Sequence, residues 1–242
     1  MTQRVAIVTG ASGGIGHDVA VRLARAGMAV AVHYAGNRDR AQQTADEITA
    51  LGGAATVVTA DVADEQQVAA LFDEVESEFG GVDVVVNTAG IMTLAPLAEL
   101  DLADLDRMLR TNVRGTFAVS QQAARRVRAG GAIINFSTSV TKIAAPTYTA
   151  YAATKGAVDA MTLILAKEMR GRDVTVNAVA PGPTATPLYF EGKPQEVIDR
   201  AKAAPPLERL GEPADIAEIV AFLAGPARWV NGQVIYANGG VV

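Results

Sequence analysis

A chain of 242 residues, half of them hydrophobic, is long enough for one large α/β domain with a sizeable core and short for two. A formal net charge of −5 argues against nucleic acid as the main partner, and the absence of cysteine removes disulfides, thiolate metal sites and thiol nucleophiles. Two histidines, His17 and His33, leave almost nothing from which to build a zinc site or a histidine-based triad; both read as incidental, and no metal is expected.

No apolar run reaches the ~18–20 residues of a membrane span. The opening Met1–Arg4 runs straight into Val5–Val8, too short for the apolar core of an export signal and cut off by Thr9-Gly10. A cytoplasmic location is the expectation.

In chain order, Arg4–Thr9 is a short β-type run, Gly16–Ala26 a helix closed by Gly27, and Met28–Tyr34 a second strand. Arg38–Leu51 reads as a helix stopped by Gly52-Gly53, and Ala55–Ala60 as a strand. Across Asp64–Phe79 the apolar Val68, Leu71, Phe72, Val75 and Phe79 recur at helical spacing before Gly80-Gly81, and Val82–Val86 follows as the fourth strand. A long helix is predicted from an Asp101 N-cap to Arg128, then strand Ala132–Phe136, helix Tyr151–Arg170 and strand Val174–Val179. Helix Pro213–Leu223 and a strand near Gln233–Tyr236 complete the pattern. Trp229 is assigned to the core.

The strands lack polar alternation, and runs such as Val84-Val85-Val86 suit a parallel sheet covered on both faces. One doubly wound α/β domain of Rossmann type over residues 1–242, with about seven parallel strands and helices on both faces, is the economical reading. Two connections are long: Thr138–Ala150, and a proline-rich stretch of which residues 183–206 are the expected substrate loop or lid.

The first strand leads into Thr9-Gly10-Ala11-Ser12-Gly13-Gly14-Ile15-Gly16 and then a helix. Glycines there let backbone N–H groups approach a pyrophosphate at the positive end of the helix. The turn departs from the G-x-G-x-x-G fingerprint, because Val19 stands where a third glycine would fall, and no Gly-Lys-Ser/Thr supports a P-loop. At the end of the second strand, His33-Tyr34-Ala35-Gly36-Asn37-Arg38 offers no acid before Asp39. A carboxylate would repel a 2′-phosphate whereas Arg38 can pair with one, so NADP(H) is favoured over NAD(H).

Tyr151-Ala152-Ala153-Thr154-Lys155 puts a tyrosine and a lysine on one helix face. A phenol with a pKa near ~10 is a poor base at neutral pH, and a nearby ammonium is expected to draw it down.

With these motifs the chain resembles the short-chain dehydrogenases/reductases along its whole length. The resemblance rests on T-G-x-x-x-G-x-G at Thr9–Gly16, Asp61 after the third strand and Asn87-Thr88-Ala89-Gly90 for the family's N-N-A-G. Asn112, Tyr151-x-x-x-Lys155 and Pro181-Gly182 add to it. Ser137–Val140 and Ala180–Thr186 are similar to the polyhydroxynaphthalene-reductase-like and 3-oxoacyl-ACP-reductase-like branches, which mostly use NADPH.

The resemblance implies a single-domain carbonyl reductase or alcohol dehydrogenase acting on a small-molecule ketone, aldehyde or alcohol. Tyr151 would be the general acid/base, Lys155 would hold the nicotinamide ribose, and Asn112 would help hold a relaying water. Gly10, Ser12, Gly14, Ile15 and Gly16 would form the cofactor turn, with Asn37 and Arg38 at the adenosine ribose. Asp61 and Val62 would flank the adenine, while Asn87, Ala89 and Gly90 line the cleft. Pro181, Gly182, Thr184 and Thr186 would approach the nicotinamide.

The family's serine usually stands 13 residues before the tyrosine, where this chain has Thr138 between Ser137 and Ser139. Anchoring on Pro146 selects Ser137 as the substrate-binding hydroxyl, with Ser139 second and Thr138 still open. The alternatives are an NAD-linked secondary-alcohol or sugar dehydrogenase, or a nucleotide-sensing protein without catalysis. Family members are commonly tetramers, so a homo-oligomer (tetramer or dimer) is expected. Ala144, Ala145, Pro146, Tyr148, Leu188, Tyr189 and Phe190 suggest an apolar pocket for a neutral substrate.

Overall fold

The computed structural model describes residues 3–242; Met1 and Thr2, part of the stretch read above for an export signal, lie outside the described residues. Strand β1 (Val5–Thr9) is central and buried along its whole length. It pairs in parallel with β2 (Ala29–Tyr34) on one side, and β3 (Ala55–Thr59) continues beyond β2. On the other side lie β4 (Val82–Asn87), β5 (Val127–Phe136), β6 (Thr175–Pro181) and β7 (Val234–Ala237).

The sheet order is β3-β2-β1-β4-β5-β6-β7 and all pairings are parallel. The chain therefore runs outward from β1 to β3, then returns to β1 and builds β4 to β7 on the opposite side. That reversal opens a crevice beyond the C-terminal ends of β1 and β4, where ligands bind in such sheets.

Among the described residues the first helices are α1 (Gly14–Arg25), α2 (Arg38–Ala50) and α3 (Glu65–Phe79). Next come α4 (Leu102–Met108), α5 (Thr116–Arg126) and the short α6 (Val140–Ile143). The series ends with α7 (Thr149–Glu168), α8 (Pro187–Phe190), α9 (Gln195–Ala203) and α10 (Pro213–Ala224).

Strand alternation divides the small apolar residues between two layers. Ala6, Val8, Val30, Val32, Val84 and Val86 pack under α1, α2 and α10, while Val5, Ile7, Ala29, Ala31 and Val85 pack under α3, α5 and α7. Side-chain caps fix the helix starts: Asn37 Oδ1 accepts from Arg40 N at 3.0 Å, and Asp64 Oδ1 from Gln66 N and Gln67 N at 2.9 and 3.0 Å. Gly80, at φ +80°, ends α3.

Four sequence expectations change. The helix predicted through Arg128 stops at Arg126, and β5 begins at Val127, which pairs with Val82. The cause is distant in sequence. Buried Asp83 accepts from Arg128 Nε at 2.9 Å and from Val5 N at 2.7 Å, tying three strands together at the sheet's lower edge.

The same predicted helix is interrupted by a π-helical segment, Leu109–Gly115, that contains Asn112. The stretch 183–206 is less open than expected, because Pro187 and Pro194 start α8 and α9 within it. Trp229 is fully exposed rather than in the core. Its neighbours turn inward, Arg228 to the Gly131 carbonyl at 2.8 Å and Val230 onto the core, which leaves the indole outside.

Candidate active site

The crevice begins at the glycine turn. Gly10 (φ +67°) and Gly14 (φ +55°) adopt left-handed backbone. A Cβ built on Gly16 would lie 2.4 Å from the Gly10 carbonyl oxygen and 2.7 Å from Thr88 Oγ1, so the turn closes only around a bare Cα. A Cβ on Gly13 would meet nothing within 4 Å, and one on Gly14 would lie 3.6 Å from Thr186 Cγ2. The turn thus faces open space and, across the cleft, the segment after β6.

The free N–H groups at the start of α1 sit at this turn, which is the geometry that accommodates a pyrophosphate. Ser12 is half-buried, and Ile15 packs on the core. Val19, in place of a third glycine, is buried core. Gly16 supplies the close approach instead.

The turn is pinned to β4. Thr88 Oγ1 donates to Thr9 O, and Ala89 N donates to Thr9 Oγ1 at 3.1 Å. Threonine in place of the family's asparagine therefore has a definite partner. Asn87 points elsewhere: its Nδ2 donates to Asn135 Oδ1 at 2.7 Å and to Ser120 Oγ at 3.2 Å, and Asn135 Nδ2 donates to Thr162 Oγ1 at 2.9 Å. This buried network ties β4, β5, α5 and α7 beneath the cleft, so the side chain expected to line the cofactor site braces it from below. Ser120, Asn135 and Thr162 were not read as site-supporting. The available signal was the lone polar residue in the apolar strand Ala132–Phe136.

Beyond the end of β2, Asn37 is exposed with its side chain engaged in the α2 cap, and Arg38 is exposed at the first turn of that helix. Asp61 is held below the usual carboxylate range, first by a hydrogen bond from Arg110, 2.6 Å away, and also by Ala63 N at 2.9 Å. Val62 is buried, and a Cβ on Gly115 would fall 2.7 Å from its Cγ2, so Val62 packs against the π-helical segment.

At the other end α7 presents Tyr151 and Lys155. Lys155 is buried, with Nζ donating to Phe136 O at 2.8 Å and lying 5.8 Å from the Tyr151 ring centroid. Burial lowers the Lys155 pKa to about 8. Burial raises the Tyr151 phenol above its ordinary value, and nearby Tyr148 adds to the rise. The sequence reading had the lysine drawing the phenol down. Here the ammonium is engaged by the Phe136 carbonyl, and desolvation dominates.

Asn112 is fully buried and clasps the chain after β4. Its Oδ1 accepts from Ile91 N and its Nδ2 donates to Ile91 O, both at 2.8 Å, with Thr154 Oγ1 at 3.2 Å. A Cβ on Gly90 would lie 3.2 Å from Asn112 Oδ1 and 3.6 Å from Lys155 Nζ. These three residues meet at one point of the cleft floor.

The three candidate hydroxyls differ in their surroundings. Ser137 Oγ is sealed from solvent and faces the Asp159 carboxyl, whose pKa burial raises and the Ser137 contact partly restores. Neither Ser137 Oγ nor Asp159 Oδ1 completes a well-formed hydrogen bond. Ser139 Oγ donates to Ala180 O at 3.0 Å and accepts from Asn238 Nδ2 at 3.2 Å. Thr138 Oγ1 accepts from Val140 N at 3.3 Å and keeps its proton free to donate.

After β6, which ends at Pro181, a Cβ on Gly182 would lie 2.7 Å from Asn238 Cβ. Thr184 Oγ1 donates to Gly182 O at 2.9 Å, and Thr186 Oγ1 caps α8 by accepting from Tyr189 N at 3.2 Å. Tyr148 meets Tyr151 edge-on with ring centroids 6.4 Å apart, and Tyr189 meets Phe190 at 5.7 Å. The sequence reading omitted Lys193, which donates to Tyr189 O at 2.6 Å and lies 4.5 Å from the centre of that ring.

A glycine turn at a topological switch point, with half-buried Tyr151 and buried Lys155 in the same cleft, defines a dinucleotide-dependent oxidoreductase. A family model described as "Enoyl-(Acyl carrier protein) reductase" matches residues 10–242. A "Short-chain type dehydrogenase/reductase" of Picea abies is 44% identical over 99% of this chain and 92% of its own length. An "NADPH-dependent aldehyde reductase-like protein, chloroplastic" of Arabidopsis thaliana is 41% identical over 99% of this chain and 94% of its own. The structure of a short-chain dehydrogenase from Burkholderia cenocepacia in complex with NADP superposes with a TM-score of 0.93 at 36% identity, over 99% of this chain and 98% of that one.

The chain belongs to the short-chain dehydrogenase/reductase family and is an NAD(P)-dependent oxidoreductase. No helix among the described residues is long and apolar enough to cross a membrane.

Proposed function

We propose that the protein is an NADP(H)-dependent carbonyl reductase acting on neutral, largely apolar ketones or aldehydes. The observation that carries this reading is geometric: Tyr151 and Lys155 share one face of α7, with Lys155 Nζ 5.8 Å from the Tyr151 ring centroid and next to Gly90 at the cleft floor, and burial keeps the phenol protonated. A protonated Tyr151 suits donation to a developing alkoxide rather than abstraction from an alcohol. When bound, the cofactor supplies the hydride. The residues that fit it are Gly10–Gly16, Asp61 and Val62, Ala89 and Gly90, and Pro181–Thr186, with Asn37 and Arg38 at the 2′-phosphate.

In this reading Tyr151 donates its proton to the substrate oxygen, and Lys155 turns from the Phe136 carbonyl to the ribose hydroxyls of the cofactor. Asn112 and Gly90 shape the floor through which Lys155 is resupplied with protons. Among three buried hydroxyls, Thr138 Oγ1 keeps a proton free to donate to the substrate oxygen, whereas Ser137, the sequence expectation, faces Asp159 under α7 and Ser139 is engaged by Ala180 and Asn238. Tyr148, Tyr189 and Phe190 form the apolar wall, and α8 and α9 within residues 183–206 act as the substrate loop. Exposed Phe117 on α5 and Leu163 and Ile164 on α7 support a homo-oligomer.

Two measurements test the proposal. NADPH is expected to exceed NADH in kcat/KM by at least about tenfold, and Arg38→Glu to erase most of that ratio by placing a carboxylate against the 2′-phosphate. An NADH preference in the unaltered enzyme would instead favour an NAD-linked alcohol dehydrogenase. The second is a pH profile. Because burial lowers Lys155, its ammonium is present below about pH 8 and lost above it, so kcat/KM for reduction is expected to fall as pH rises through that region. A rate flat to pH ~10, where an ordinary lysine begins to titrate, would contradict the role given to Lys155.

A further inference from the structure

His33, on β2, is 1% exposed and lies directly beneath the glycine turn. Its backbone carbonyl accepts from Ala11 N at 2.9 Å, and its ring Nδ1 accepts from Gly10 N at 3.1 Å. The opposite ring atom, Nε2, lies 2.9 Å from Ala60 O at the end of β3. A backbone N–H facing Nδ1 and a carbonyl facing Nε2 together require the neutral tautomer with its proton on Nε2. One residue thus holds two consecutive amides of the turn and links them to the segment that carries Asp61.

We propose that His33 is a positioning residue for the dinucleotide turn: its neutral imidazole fixes the Gly10 amide for cofactor binding, beside the Ala11 amide held by its backbone carbonyl, and its protonation releases Gly10. This rests on the reading of Gly10–Gly16 as the cofactor cradle. An imidazolium has no lone pair to offer Gly10 N–H, so the turn loses its support and the ring must move.

The ionisable side chain bearing on the ring is Asp61, from the loop after β3, and its carboxylate is already paired with Arg110. Burial outweighs it and pushes the imidazole below its ordinary value. The neutral form therefore persists through neutrality and is lost only as pH falls into the acid range. Cofactor affinity should follow, whereas turnover at saturating cofactor should not.

The experiment is NADPH binding by fluorescence titration between about pH 7.5 and pH 5.5, with steady-state kinetics alongside, on the unaltered enzyme, His33→Asn and His33→Leu. Asparagine places an oxygen where Nδ1 stands but does not titrate; leucine offers Gly10 nothing. At the upper pH, His33→Asn is expected to bind within about threefold of the unaltered enzyme, and His33→Leu about tenfold more weakly with near-normal kcat at saturation. Toward the lower pH the unaltered enzyme should weaken more steeply than His33→Asn. That difference cancels the titration of the ligand's own phosphate.

Normal NADPH affinity in His33→Leu, an equal pH slope in His33→Asn, or tighter binding at acid pH in the unaltered enzyme relative to His33→Asn would each overturn the proposal. If His33→Leu does not fold, the slope comparison alone decides. Failure of the unaltered enzyme to bind NADPH at all would instead overturn the reading of the turn on which this rests.

Discussion

Tyr151→Phe is expected to lower turnover by about 10²–10⁴-fold while NADPH affinity stays within about twofold, because the change removes a proton donor and little else. The ring keeps its edge-on contact with Tyr148, and no hydrogen bond from the phenol is needed to hold α7, whose first half is tied down by Lys155 Nζ on Phe136 O at 2.8 Å and by Asn112 Nδ2 on Thr154 Oγ1 at 3.2 Å. Steady-state kinetics with an aldehyde or ketone, combined with a fluorescence titration of NADPH, separate the two quantities. A loss of turnover explained by weakened cofactor binding would move Tyr151 from proton donor to cofactor support. Near-normal turnover would remove it from the chemistry altogether.

Gly16→Ala carries the other large effect. Its Cβ would be driven to 2.4 Å from the Gly10 carbonyl oxygen and 2.9 Å from the carbonyl carbon, both backbone atoms that cannot swing aside. Overpacking of this kind costs about 1–3 kcal/mol. For a domain of this size that corresponds to roughly 2–4 °C of Tm per kcal/mol. The turn must open to relieve the contact, so NADPH affinity is expected to fall by at least about tenfold, in step with the loss of its backbone donors. Gly13→Ala is the internal comparison. Gly13 has extended backbone (φ 165°) and open space above it, so Tm should shift by no more than the ~0.5 kcal/mol typical of a neutral surface change. Equal melting temperatures for Gly16→Ala and Gly13→Ala would show that the turn tolerates a side chain where the geometry leaves no room for one.

The site was legible in the sequence to unequal depth. The glycine turn could be read because its requirement is local: a chain leaving a strand and entering a helix within a few residues needs positive φ and a bare Cα. Tyr151 and Lys155 could be read because four residues along a helix return to the same face. The substrate hydroxyl could not be settled, because three adjacent hydroxyl-bearing residues differ only in what lies opposite them. Those partners, Asp159 for Ser137 and Ala180 and Asn238 for Ser139, stand between 22 and 99 residues away in the chain. His33 was set aside as incidental because nothing in its local sequence shows that Gly10 and Ala60 converge on its ring. The burial around Tyr151 and Lys155 was hidden for a similar reason. The partner that engages Lys155 is a backbone carbonyl, which no side-chain pattern reveals.

By itself, then, the sequence determined what depends on repeat distance and on backbone freedom. Continuous runs of small apolar residues committed β1, β2 and β4 to a sheet buried on both faces, helical periods set the layers that cover it, and glycines placed the cradle at the first turn. The tertiary structure decided what depends on pairing across the chain. Asp83 drew Arg128 out of a predicted helix and into β5, the π-helical segment set Asn112 against Ile91, and Phe136 took the Lys155 ammonium. The strand order brought His33 under Gly10. Local propensity is a property of neighbours along the chain, whereas burial, hydrogen-bond partners and the protonation they enforce are set by neighbours in space.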